Sequence, residues 1–182
     1  MTNEKSVNLL NQYIKNIALK RHCYMVAIAM QAYAKKLNED ENLWYQTGLL
    51  HDLDWEMYPN EHPNKAVNEI LVGYPVEMIQ AIKSHAPERT GVEAQTLLDK
   101  YLYACDELSG FLYAVSIMRP NGFVDMEVKS VKKKLKDKSF ASNVSRDDIY
   151  KGVEFINVSL EDHIQFLINT FKTSSEKFAS PE

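Results

Sequence analysis

Between Leu97 and Met118 the chain reads LLDKYLYACDELSGFLYAVSIM, a stretch that is apolar on nearly every side of a helix. Such a helix has to be enclosed by other elements, so this segment predicts a central helix with further helices around it. Asp106 sits in its middle, between Leu102 at i−4 and Tyr113 at i+7, which places a carboxylate in the interior. A charge there is costly to desolvate unless a cation or hydrogen bonds compensate.

The same conflict recurs twice. His51-Asp52 closes the apolar run from Leu43 to Leu50 (LWYQTGLL), and His22 heads a stripe formed at helical spacing by Val26, Ala29, Met30, Tyr33 and Leu37. Two imidazoles and two carboxylates directed into one interior make a ligand set for a divalent transition metal, with Mn, Fe, Co, Ni and Zn all compatible. The cation supplies the opposite charge that Asp52 and Asp106 lack. Neighbouring helix side chains diverge by about 100°, so His51 and Asp52 can share an ion only if it lies just past a helix end. Asp54 and Pro59 place that end soon after Asp52.

The order His22, His51-Asp52, Asp106, with the segments RHCYMVAIA and LLHDLDW, resembles the H…HD…D signature of the HD superfamily of metal-dependent phosphohydrolases, over roughly residues 20–113. The resemblance implies an all-α fold, an HD-domain-like helical bundle with a buried metal site in which His22, His51, Asp52 and Asp106 hold an ion. Some members of that superfamily carry a second ion on two further histidines. His62 in HPNKA and His85 in IKSHA fall in the corresponding interval and are candidates for a second ion or, with Arg89, for phosphate contact. Members with two ions often read HD-[IL]-G-K. Here Leu53, Asp54 and Trp55 follow the pair, so the lysine is missing and Asp54 or Glu56 is left to orient the attacking water as a catalytic carboxylate.

The implied activity is metal-dependent hydrolysis of a nucleotide or other small phosphoester by metal-activated water, with one or two divalent ions as cofactor. Two other classes fit the same residues: a di-iron HD-type oxygenase and a non-catalytic, nucleotide-sensing module. The stretch VKSVKKKLKDKSFA, with CDELSGFLYAVSIMRP before it, is similar to the matching part of small HD hydrolases of unknown substrate.

At 182 residues the chain reads as one HD-like helical domain, with a metal-site core at about 20–113 and a helical carboxyl-terminal extension over 119–175. Cys23 and Cys105 lie in apolar stretches and read as reduced core residues. A net charge of −4 gives no signal for nucleic acid. The absence of a signal peptide or spanning segment predicts a soluble, cytoplasmic protein without a membrane partner; oligomeric state stays open. Periodicity predicts helices over 7–19, 22–37, 41–53, 62–71, 76–84, 93–118, 124–136, 147–156 and 160–173. Ser145 with Asp148 and Ser159 with Asp162 read as capping pairs. Trp55 and Tyr58 read either as core-edge seals or as substrate contacts. The lysines around 128–138 read as a solvated face, His163 as structural or exposed, and Asp99, Glu107 and Asp125 as solvated or capping residues.

Overall fold

Capping residues set most of the helix boundaries. The computed structural model describes residues 3–179, and in it α1 (Asn3–Tyr13) is followed by α2 (Ile17–Leu37). The break falls at Asn16, three residues or more before the one expected from periodicity, because the Asn16 side chain accepts from the Ala18 and Leu19 N–H groups at 2.9 and 3.1 Å. Asn38, left-handed at φ 60°, ends α2, and Asp40 caps α3 (Glu41–Leu50).

A looped segment leads from α3 to a π-helical turn at Ala66–Ile70, where periodicity predicts a helix from His62. The carboxylate of Asp54 takes the Ala66 N–H at 2.7 Å and so competes with a regular helical start. Then come α4 (Val76–Ser84), the single turn α5 (Pro87–Thr90) and the central α6 (Leu97–Ile117). Asp99 and Thr96 form a reciprocal capping box that starts α6 at Leu97, not at Glu93. The remaining helices are α7 (Val128–Leu135), α8 (Arg146–Ile156), α9 (Leu160–Ser174) and α10 (Glu176–Ala179). An Arg119–Asp125 ion pair holds the turn before α7 and delays that helix to Val128.

Among the described residues there is no strand, and no helix is long and apolar enough to cross a membrane. The two 21-residue helices α2 and α6 carry the core. Helix α2 packs on α3, α6 and α9, and α6 packs on α2, α4 and α8. Met25, Val26, Met30 and Tyr33 from α2 meet Leu102, Leu108, Phe111 and Leu112 from α6 in one buried cluster. Cys23 and Cys105 lie within it as free thiols, raised above the usual range by burial.

Backbone approaches fix two of the contacts. A Cβ at Gly48 would stand 2.8 Å from the Cα and N of Ala27, so α3 lies directly against the α2 main chain. Gly152 brings α8 equally close to Ala104 of α6.

His163 of α9 is fully buried between α2 and α6. Its Nε2 faces the Ala104 carbonyl at 2.9 Å, which can only accept, so Nε2 carries the proton and Nδ1 accepts from the Tyr33 hydroxyl at 2.6 Å. Burial lowers its pKa from 6.5 to about 4, against the opposing pull of the carbonyl. The folded state therefore requires the neutral ring. Its contribution is complete above about pH 6.5 and is lost as pH falls toward 4, a change on the order of 3 kcal/mol. Denaturant unfolding of wild type and His163→Gln across pH 7 to 4 isolates it. The wild type is expected to lose stability more steeply by about that amount, and parallel curves would refute the assignment.

Candidate metal centre

Four side chains from three helices converge below the surface. His22 comes from the first turns of α2, His51 caps the end of α3, Asp52 follows it, and Asp106 lies midway along α6. His22 Nε2 is 2.9 Å from Asp106 Oδ1 and 3.7 Å from Asp52 Oδ2. His51 Nε2 is 3.4 Å from Asp106 Oδ1 and 3.6 Å from Asp52 Oδ2. The end of α3 at Leu50 is what lets the neighbouring His51 and Asp52 aim at one point.

Two acids draw the nearby imidazole toward its charged form. Burial works against a charged His51, but Asp52 and Asp106 outweigh it and raise the ring to about 9. Burial likewise works against the two carboxylates, and the His51 charge prevails to hold both below the usual carboxylate range.

A second group adjoins the first. His62 and His85 lie with Nε2 atoms 3.1 Å apart, and these atoms stand 3.5 and 3.7 Å from Asp52 Oδ1. The two oxygens of Asp52 thus face different histidine pairs, Oδ2 toward His22 and His51 and Oδ1 toward His62 and His85. The sets His22, His51, Asp52 and Asp52, His62, His85 each have the compactness a bound ion requires.

The ring tautomers follow from acceptor-only neighbours. His51 Nδ1 is 2.8 Å from the Gly48 carbonyl, His85 Nδ1 is 2.6 Å from the Ile82 carbonyl, and His62 Nδ1 is 2.6 Å from Asp54 Oδ1. Each Nδ1 is assigned a proton on that ground, so in the neutral ring each Nε2 is the lone-pair atom directed inward, and His51, which the acids draw toward its charged form, would yield its Nε2 proton to an ion. In the His62–His85 pair two such lone pairs meet at hydrogen-bond distance. A shared cation resolves that repulsion, so the donor chemistry fits a metal at both groups.

The carboxylates expected to orient water, Asp54 and Glu56, both make contacts within the protein. Asp54 is fully buried and does not line the cavity, with Oδ1 on His62 Nδ1 and Oδ2 on the Ala66 N–H, an arrangement that positions the His62 ring. Glu56 does not line the cavity at the centre, and its Oε2 accepts from the Lys15 and Asn16 N–H groups at 2.8 Å each, tying this loop to the start of α2.

A cavity of about 330 Å³ opens onto His22, Asp52, His62, His85 and Asp106. Arg89 and Trp55 form one side: the guanidinium lies 5.2 Å above the indole, and Nη1 donates to the Pro59 and His62 carbonyls at 2.7 and 3.2 Å. Arg89 thereby braces the loop that carries His62. Trp55 meets the His62 ring edge-on with centroids 4.9 Å apart. Tyr58 does not line the cavity and lies beneath the Lys65 ammonium.

The cavity lining also includes Tyr103, Glu107 and Asp148, none of which was expected there. Glu107 Oε2 accepts from the Ser145 N–H at 3.1 Å, and Tyr103 donates its hydroxyl to Asp148 Oδ1. Burial, and then the charge of Asp106, push the Glu107 carboxyl up to about 8. Helical spacing holds a readable signal, since Tyr103, Asp106, Glu107 and Gly110 share one face of α6 at i, i+3, i+4 and i+7.

An all-helical frame surrounds histidine and aspartate groups that could hold a divalent metal ion. The sequence profile of the family described as "HD domain" matches residues 19–110, and the chain belongs to that family. No curated protein and no solved structure matches it significantly.

Proposed function

We propose that the protein is a two-metal phosphohydrolase acting on a small phosphoester. HD-domain membership supports metal-dependent phosphohydrolase chemistry at the coarser level. The observation that carries the finer reading is the division of the Asp52 carboxylate between two histidine pairs, the arrangement of a bridging ligand. His22, His51 and Asp106 with Asp52 Oδ2 would hold one ion, and His62 and His85 with Asp52 Oδ1 the other. Bound there, divalent ions supply Lewis acidity toward the phosphoryl oxygens and an acidified water as nucleophile.

Hydrolysis forms a P–O bond to the water oxygen and breaks the P–O bond to the alcohol, which leaves with a proton derived from water. The protein's part is to place the ester. Arg89, the one cation among the described residues lining the cavity, keeps N–H groups beyond its Nη1 contacts for a phosphate oxygen. The stacked Trp55 limits water access on that side.

The test is phosphate release from a panel of monoesters by protein loaded in turn with Mn, Fe, Co, Ni, Zn and Mg, with the metal content measured on the same samples. Turnover with about two ions per chain is expected; no turnover with any of these metals would overturn the reading. Asp54→Asn offers a finer check on the second ion. Loss of the buried carboxylate behind His62 is expected to weaken that ion's binding by about 10- to 100-fold while the first stays bound. A metal titration that leaves both ions unchanged would exclude this role for Asp54.

A further inference from the structure

We infer that the ester cleaved at this centre carries a second phosphate group away from the scissile bond, received by a basic groove that meets the cavity at Val144; this rests on the phosphohydrolase reading above. The groove, of about 530 Å³, lies between the end of α7 and the start of α8. Val144 lines both the groove and the cavity. Its neighbour Ser145 lines the groove as well and gives its N–H to Glu107, which belongs to the cavity lining. The two spaces thus share a wall.

Charge defines what the groove can receive. Lys136, Lys138 and Arg146 line it against a single acid, Asp147, and among the described residues no ion pair reaches any of the three cations. The hydrogen bonds of Arg146 all go to main chain: Nη1 donates to the Ala141 and Val144 carbonyls at 2.5 and 2.7 Å, and Nη2 to those of Asp137 and Phe140. Carbonyls satisfy N–H groups but carry no net charge, so the guanidinium keeps its own. Its Nε–H is buried without a partner. The same four contacts fix the loop that presents Lys138 and Ser142 to the groove. Helix α8, 11 residues long and capped by Ser145, opens its amino end on this groove, where backbone N–H groups favour an anion. A monoester of a neutral alcohol would leave that charge unmet. A second phosphate offsets it while the first lies toward the proposed metal ligands and Arg89.

The test compares alkanediol bisphosphates of about three to six carbons with the monophosphates of the same diols, using the full-length metal-loaded protein. At the length that spans cavity and groove, the expected preference for the bisphosphate in kcat/KM is about ten-fold or more, the scale of two partly screened charge pairs. The double variant Lys136→Ala/Lys138→Ala is expected to shrink that ratio at least about three-fold through KM for the bisphosphate. Lys133→Ala, which lies outside both the cavity and the groove, should leave the ratio unchanged. A second readout needs no turnover: inorganic phosphate titrated into isotope-labelled protein without added metal should shift the backbone amide resonances of residues 142–147, and shift them less in the double variant. A ratio near one at every length, a ratio that the double variant leaves unchanged, or no shift at 142–147 overturns the inference and leaves the hydrolase reading intact. Failure to cleave any ester with any metal overturns both.

Discussion

Asp52→Asn is expected to strip the protein of stoichiometric metal and to cut phosphoester turnover by on the order of 1,000-fold or more, since losing a group behind a metal ligand alone costs about 10- to 100-fold. The substitution keeps the side-chain shape and removes the charge that both histidine pairs face. Because an amide oxygen is a poorer ligand and its NH₂ cannot coordinate, one variant tests both ion positions at once. A second readout does not depend on knowing the substrate. Metal bound only by the folded state raises the thermal midpoint by mass action, so added metal should stabilise the wild type and not the variant. Wild-type metal content together with an unchanged metal-induced shift would remove the basis for a bridging role.

A methyl group at Gly48 is expected to do comparable damage from outside the ligand set. The added Cβ of Gly48→Ala would fall 2.8 Å from the Ala27 main chain and 2.9 Å from the Val26 carbonyl carbon. Backbone atoms cannot rotate away as a side chain can, so α3 must move off α2. Overpacking of this kind costs about 1–3 kcal/mol, and contact with three main-chain atoms of α2 puts this case at the upper end. Displacement has a chemical consequence too. His51 and Asp52 sit one turn beyond Gly48, and the Gly48 carbonyl itself receives the His51 Nδ1–H. The variant should therefore lose metal affinity along with stability, read from the denaturant midpoint and from elemental analysis. Gly110→Ala is the internal contrast: the nearest neighbour there is His22 Nδ1 at 3.7 Å, an ordinary contact. Replacing a mid-helix glycine by alanine gains about 0.5–1 kcal/mol, so this variant should be as stable as wild type or more so. Equal behaviour of the two variants would contradict the steric argument.

Much of the candidate site was legible in the sequence, and the reason is physical. Buried ionisable groups are rare, so His22, His51, Asp52 and Asp106 stood out against the apolar periodicity around them, and the structure brings Nε2 of both histidines within 3.7 Å of an oxygen of each carboxylate. His62 and His85 followed from similar placement. Other features depend on contacts distant in sequence and left no local trace. The polar stretch after the HD pair offered no means of telling that Asp54 is committed to His62 and Ala66, or that Glu56 reaches back to the start of α2. Asp148 looked like a helix cap; its main chain does bond Ser145, but its carboxylate turns to Tyr103 of α6. Glu107 looked solvated because α8, which covers it, begins 39 residues later in the chain. Helix types followed from period, whereas boundaries shifted wherever a side chain such as Asn16 or Asp54 captured a backbone N–H.

The grouping of these residues along the chain bears on how related proteins can diverge. All six proposed ligands fall from His22 to Asp106, whereas Asp148, which also lines the cavity, is borne by α8 beyond the stretch that matches the family. The proposed ligands and this part of the cavity wall thus reside on separate lengths of polypeptide, held together where Gly152 meets Ala104, Tyr103 meets Asp148 and Ser145 meets Glu107. Descendants that keep the first length unchanged remain free to remodel the second and acquire a different diet.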